Sequence, residues 1–186
     1  EHMPETTPAP SGDTPEPGLA RLNALPSQDL RTELAQCLNV DRWVEAVASE
    51  APYADRRSLL SVADTHARGI TTEEVATALA RHPRIGEKAQ GQDTESAWSR
   101  GEQAAFAADT DDASTRVQRI FTFAQGEYEG RFGQIYLVCA SGRSGRELLA
   151  DLVARLDNDP ETELTVVGEE LRQISALRLV KLLEAA

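Results

Sequence analysis

The stretch "QIYLVCA", residues 134–140, decides how this chain is read. It is the one segment with strand-like composition, aromatic and β-branched residues bounded by glycine on one side and a Ser-Gly turn on the other. A strand needs a partner, and the flanking sequence offers none, because everything on either side carries helical periodicity. We therefore expect an extended segment inside an all-α protein.

Working outward, the spacing predicts a long helix near 113–131 with Val117, Ile120, Phe121, Ala124 and Tyr128 at helical intervals, ended by Gly133. After the extended segment, Ser144 and Glu147 have the spacing of a capping box. They open a helix with Leu148, Leu149, Leu152, Val153 and Leu156. Asp159-Pro160 supplies an N-cap and a first-turn proline for the last helix. Upstream, Leu30, Leu34 and Leu38 repeat every four residues behind Ser27 and Asp29. A further helix runs from Asp41 until Pro52 forbids it. Another carries Leu59, Leu60, Val62, Ala63 and His66 up to Gly69. Thr71 and Glu74 form a capping box for the next, which ends at His82-Pro83, since a residue before proline leaves helical geometry. Asp93 or Thr94 caps a segment holding Trp98, Ser99, Glu102, Gln103 and Phe106. The expected architecture is a single-domain helical bundle of about seven to eight helices over residues 19–186, a range the 186-residue length and 40% hydrophobic content allow.

Residues 1–18 contain five of the nine prolines and almost nothing apolar, so they read as a disordered tail. Glu1 and His2, ahead of Met3, look like a cloning remnant and are set aside. The formal net charge of −12 repels a phosphate backbone, which argues against nucleic acid. No apolar run is long enough to span a bilayer and no signal-peptide pattern opens the chain, so no membrane partner and a cytoplasmic location are expected. The two cysteines, Cys37 and Cys139, lie far apart and form no metal-ligand spacing. Only His66 and His82 remain as imidazole donors, and no metal is expected.

Several polar residues stand out. In the last helix the inward positions Leu164, Val167, Leu171 and Ile174 lead to Arg178, a charge in an apolar stripe that either snorkels to water or meets a partner. Ser99, Glu102 and Gln103 share one helix face. His82 stands at a helix-to-loop corner and is the side chain suited to proton transfer near neutral pH, whereas His66, on an apolar face, suits packing. "ASGRSGRE" places glycines before a helix N-terminus without the Gly-Lys-Ser/Thr of a phosphate loop. Cys139 lies in an apolar run and suits a core.

Five separated motifs, "HPRIGEK", "SRGEQAA", "YEGRFGQIYLVCASGRSG", "NDPETEL" and "ISALRLVKLL", resemble in order and spacing the 2-oxo-4-hydroxy-4-carboxy-5-ureidoimidazoline (OHCU) decarboxylases of urate breakdown. The likeness spans about Leu22 to Leu183. It implies an all-helical, homodimeric, cofactor-free enzyme that converts this ureidoimidazoline substrate to (S)-allantoin and carbon dioxide. By position it implies a catalytic role for His82, Glu102 and Arg178. It implies substrate contact for Pro83, Ser99, Arg100, Gly101 and Gln103, and for the backbone of Tyr136, Leu137, Val138, Cys139 and Ala140. The chain departs from many relatives in reading His-Pro-Arg-Ile instead of His-Pro-Asp-Leu, and from some in having Ser141 in place of arginine, so Ser141 and Arg143 receive no role. Two other readings are a non-enzymatic acidic helical module that binds a basic partner, and an anion binder built on residues 141–147.

Overall fold

The computed structural model describes residues 16–85, 98, 100–104 and 112–184. Among them lie eight helices: α1 (Pro17–Ala24), α2 (Ser27–Cys37), α3 (Asp41–Ser49), α4 (Arg56–Ala67), α5 (Thr72–Leu79), α6 (Asp112–Phe132), α7 (Gly145–Leu156) and α8 (Pro160–Glu184). Trp98 and residues 100–102 are also helical. Ser99, Phe106 and the Asp93/Thr94 cap lie outside the described residues.

The local signals act where the sequence puts them. Thr71 and Glu74 form both halves of the capping box at α5. At α7 the Ser144 hydroxyl accepts from the Glu147 N–H at 3.2 Å, but the Glu147 carboxylate turns to the Ser144 hydroxyl instead of its backbone N–H. Asp159 accepts from the Thr162 N–H at 2.8 Å and starts α8. Gly133, at φ 68°, ends α6 by donating to the Glu129 carbonyl at 2.8 Å, in a conformation that costs glycine least.

The expected tail through residue 18 takes in residues that are ordered. Pro17 and Gly18 form the first turn of α1, a helix the sequence reading left out. Its Leu19 and Leu22 are buried, and Gly18 sits so close to Leu183 of α8 that an added Cβ would fall 1.7 Å from that residue's carbonyl oxygen. Proline is welcome at a helix's first position, so the proline-rich composition that signals disorder also permits this start.

The core has two parts. One gathers α1 to α5 around α8, with Leu22, Leu34, Trp43, Val47, Leu59, Val167 and Leu179 fully buried. α8 touches α1, α2, α4 and α5 and buries a broad face against them, from Val167 through Leu171, Ile174 and Arg178 to Leu182. The other part lies within the α6–α7 hairpin and holds Phe121, Tyr128, Leu148 and Leu152.

Residues 135–140 are extended without pairing into a sheet, as expected, and run between these two parts. Because side chains alternate along extended backbone, Leu137 and Cys139 enter the α8 core while Tyr136, Val138 and Ala140 enter the hairpin core.

A buried polar network pins this seam. Arg155 of α7 donates to the Leu137 carbonyl at 2.7 Å and, through Nε and Nη2, to Glu163 of α8 at 2.9 and 2.5 Å. Glu163, fully buried, also accepts from the Tyr128 hydroxyl at 2.5 Å and the Asn158 amide at 3.0 Å. A buried carboxylate with four donors is satisfied, and its geometry fixes α6, α7 and α8 against one another. Tyr128→Phe removes one charge-assisted bond and no packing volume. A stability loss of about 1.5–3 kcal/mol is expected in denaturant unfolding, with the helical content of the folded protein unchanged.

Candidate functional site

His82 stands just beyond α5 because the chain tightens into a last turn there. The His82 backbone N–H donates to Leu79 O at 3.0 Å, and Pro83 then forces the chain outward. The corner is fixed on its far side as well. Arg84 pairs with Glu129 of α6, with Nη2 to Oε2 at 2.7 Å, and Ile85 is buried in the hairpin core. The His-Pro-Arg-Ile sequence therefore bridges the two parts of the core, with His82 and Pro83 half-buried at the bridge.

Arg178 does not snorkel. It is 0% exposed, and its fork grips Glu102, Nε to Oε1 at 2.9 Å and Nη2 to Oε2 at 3.2 Å, while Nη1 donates to the Gln36 carbonyl at 3.0 Å. Its guanidinium lies 5.7 Å from the centre of the Trp98 ring, within reach of a cation–π contact. Lys181, one turn after Leu177, brings its ammonium 3.7 Å from Glu102 Oε1. A planar fork meeting both oxygens of a carboxylate fixes the direction as well as the place of that carboxylate.

These groups share an environment. Burial first, and then the positive charge of Arg178, hold the His82 imidazole down to about 3, so it is neutral at pH 7 and feels that guanidinium. Burial first, then the negative charges of Glu170 and, more weakly, Glu102, push the Cys139 thiol up. His82, Glu102, Cys139 and Arg178, drawn from four separate places in the sequence, thus converge. Cys139 is a protonated, buried thiol there, in keeping with its reading as a core residue.

The remaining expected contacts fare unevenly. Gln103 is half-buried beside Glu102, while Arg100 and Gly101 are exposed. Tyr136 directs its hydroxyl into the hairpin core, onto Asp151 and towards the Leu148 carbonyl at 3.5 Å, and packs edge-on against Phe121 and Tyr128. Its ring is a structural anchor. Along the extended segment, the Leu137 carbonyl is taken by Arg155 and the Cys139 N–H donates to Glu170 at 2.9 Å. The Ala140 carbonyl accepts from the Arg143 N–H at 3.1 Å. Intramolecular partners therefore already engage part of the backbone that the resemblance assigns to substrate. Arg143 pairs with Asp151 at 3.5 Å, which weakens the anion-binder reading of residues 141–147.

Two contributors escaped the sequence reading. Glu170, whose carboxyl burial raises above the usual range, holds the Cys139 end of the segment, and Arg155 holds its Leu137 end. Nothing in spacing distinguishes Glu170 from a solvated helix face. Glu163 did carry a signal, a charge one turn before Val167 in the buried stripe of α8.

Among the described residues no three His, Cys, Asp or Glu side chains gather as a metal site would require, and no helix is long and apolar enough to cross a membrane.

A family model described as OHCU decarboxylase matches residues 23–180. The chain is 25% identical over 148 residues to the uric acid degradation bifunctional protein TTL of Arabidopsis thaliana, covering 78% of this chain and 45% of that protein. It is 30% identical over 105 residues to the 2-oxo-4-hydroxy-4-carboxy-5-ureidoimidazoline decarboxylase of Amia calva, covering 55% of this chain and 58% of that one. The chain thus spans about half the length of these curated relatives. A crystal structure of OHCU decarboxylase in the presence of (S)-allantoin superposes with a TM-score of 0.67 at 24% identity, covering 82% of this chain and 97% of that chain. A crystal structure of (S)-allantoin synthase gives a TM-score of 0.62 at 17% identity, over 88% of this chain and 53% of that one. At those identities the two structures speak for the all-α fold. The family model spans all five motifs except the last three residues of "ISALRLVKLL" and takes in His82, Glu102 and Arg178, and the chain belongs to the OHCU decarboxylase family.

Proposed function

We propose that this protein decarboxylates 2-oxo-4-hydroxy-4-carboxy-5-ureidoimidazoline to (S)-allantoin, with His82 and Glu102 as the proton-handling pair and Arg178 as the residue that positions Glu102. The observation that carries this reading is the bidentate Glu102–Arg178 pair, closed to solvent on the arginine side, beside an imidazole kept neutral by burial and by that same arginine.

The substrate explains why the protein needs so little. A ring C=N two bonds from the departing carboxylate accepts the electron pair as the C–C bond breaks. Carbon dioxide leaves, and the ring nitrogen and the ureido-bearing carbon gain two protons, one from the substrate's own hydroxyl and one taken up from solvent. The protein's task is to hold the carboxylate out of the ring plane and to move protons on one face. A neutral His82 accepts the proton of the substrate's hydroxyl as that carbon becomes a carbonyl. Glu102, fixed in direction by Arg178, orients the substrate's OH or NH groups. Because Glu102 neutralises Arg178, the buried arginine does not grip the substrate carboxylate. Tight binding of that group in the ground state would raise the barrier. Family resemblance supports a homodimer, and the cofactor-free reading rests on the substrate's own electron sink.

The low position of His82 gives a distinctive pH profile. A histidine of ordinary pKa would lose its base function as pH falls through about 6.5. Here the neutral form persists to about 3, so kcat/KM should stay flat from pH 8 to below 6 where His82 alone governs it. A fall centred near pH 6.5 in wild type, absent from a variant lacking His82, would contradict a base that stays neutral at that pH.

The same shift has a stability consequence. Between about 6.5 and 3 the unfolded chain binds a proton at His82 that the folded chain refuses, so this group's effect is to weaken the fold progressively as pH falls through that window.

The test of the function is turnover of substrate generated in place from urate by urate oxidase and hydroxyisourate hydrolase, followed by circular dichroism of the allantoin formed. An acidic interaction module would give only the spontaneous rate.

A further inference from the structure

α6 presents an apolar face to solvent. Phe123 is 71% exposed and Ile120 48% exposed, on a helix whose opposite side buries Phe121, Ala124 and Tyr128. Arg116, Arg119, Gly126, Glu127 and Gly130 are exposed on the same strip, since steps of three and four residues stay on one side of a helix. A Cβ built on Gly126 or Gly130 would meet nothing within 4 Å, so these glycines leave open notches beside Phe123. An exposed phenylalanine flanked by an isoleucine and two notches is unusual for a surface meant to face water.

The order of residues along this strip says what fits it. A closed pair of identical chains related by a two-fold axis requires that each residue face a counterpart that faces it back. With an antiparallel copy of α6 and the axis through Phe123, residues equally far from Phe123 on either side meet. Ile120 and Gly126 each lie three residues away, which puts a bulky side chain into a notch. Arg119 and Glu127 each lie four residues away, which pairs opposite charges twice across the axis. Arg116 and Gly130 each lie seven away, again a long side chain over a notch. Phe123 meets its own copy on the axis. A chain carrying a net charge of −12 repels its copies unless the contact itself is electrostatically matched, and this strip is.

We propose that the exposed face of α6 is where a second copy of this chain docks, antiparallel, with Phe123 on the two-fold axis and Arg119 paired to Glu127 of the other copy. The proposal builds on the homodimer reading and adds its surface and register.

The experiment is sedimentation equilibrium of the full chain over a range of concentrations. Wild type should sediment as a dimer. Phe123→Glu should sediment as a monomer with an unchanged circular dichroism spectrum, because the residue is exposed and carries no core packing. Arg119→Glu and Glu127→Arg should each weaken dimerisation by about tenfold or more, since each turns two attractions into two repulsions. The doubly reversed Arg119→Glu/Glu127→Arg should recover it. A wild type that stays monomeric throughout would overturn both the homodimer reading and this surface. A dimer that survives Phe123→Glu would overturn the surface alone, leaving the homodimer reading in place. A folded Phe123→Glu monomer whose doubly reversed counterpart fails to recover would overturn the antiparallel register.

Discussion

Glu102→Gln is expected to cost about two to four powers of ten in turnover, the scale of a lost general acid–base participant. The reason lies in the grip of Arg178. The fork offers two N–H donors to two carboxylate oxygens, at 2.9 and 3.2 Å. An amide answers one and opposes the other with its own N–H, so the side chain loses its charge and also its fixed direction. The variant also leaves a fully buried guanidinium without its counter-charge. Some loss of stability should therefore accompany the loss of rate. Kinetics are to be measured well below the variant's own unfolding transition. Turnover within a factor of about three of wild type on folded protein would remove Glu102 from the chemistry, since general acid–base contributions are far larger.

Arg178→Met should lower both stability and rate. Breaking a buried pair by removing one partner costs about 3–5 kcal/mol because the other charge stays behind. Lys181, 3.7 Å from Glu102, moderates that loss without supplying the fork. The informative variant is the double one, Arg178→Met/Glu102→Leu. Replacing both charges by apolar groups should return most of the lost stability, while turnover should stay as low as in Glu102→Gln. If restored stability brought restored turnover, the pair would be a structural strut and no part of the site. Arg178→Lys should remain impaired in kcat, because a point charge cannot set the direction of the Glu102 carboxylate as a planar fork does.

The helices could be read from the chain because their ends carry their own chemistry. Thr71-x-x-Glu74, Asp159-Pro160 and Gly133 each satisfy backbone groups within a few residues, so their effect needs no knowledge of the rest of the fold. α1 could not be read that way. It lacks a capping side chain, begins at a proline within proline-rich sequence, and is held by Leu183 more than 160 positions away.

The same division runs through the site. Arg178 was visible as a charge in an apolar stripe, and Glu163 stood in that stripe one turn before Val167 with the same signal unread. Arg155 and Glu170 left no trace, because a charged residue on a helix is ordinarily solvated and only tertiary packing brings these two against the Leu137 carbonyl and the Cys139 N–H. For the same reason the backbone of 136–140, expected to be open to substrate, is already engaged in part.

The proposed decarboxylation depends on a neutral His82 and a directed Glu102 acting together. The measurement that reaches it most directly is the appearance of optically active allantoin from substrate generated in place, comparing wild type with His82→Ala at equal concentration and verified helicity. The account predicts that wild type yields the (S) isomer far faster than spontaneous decay, and that His82→Ala falls to or near the spontaneous rate. A wild type no faster than buffer, or a His82→Ala protein that keeps the wild-type rate and chirality, would contradict it.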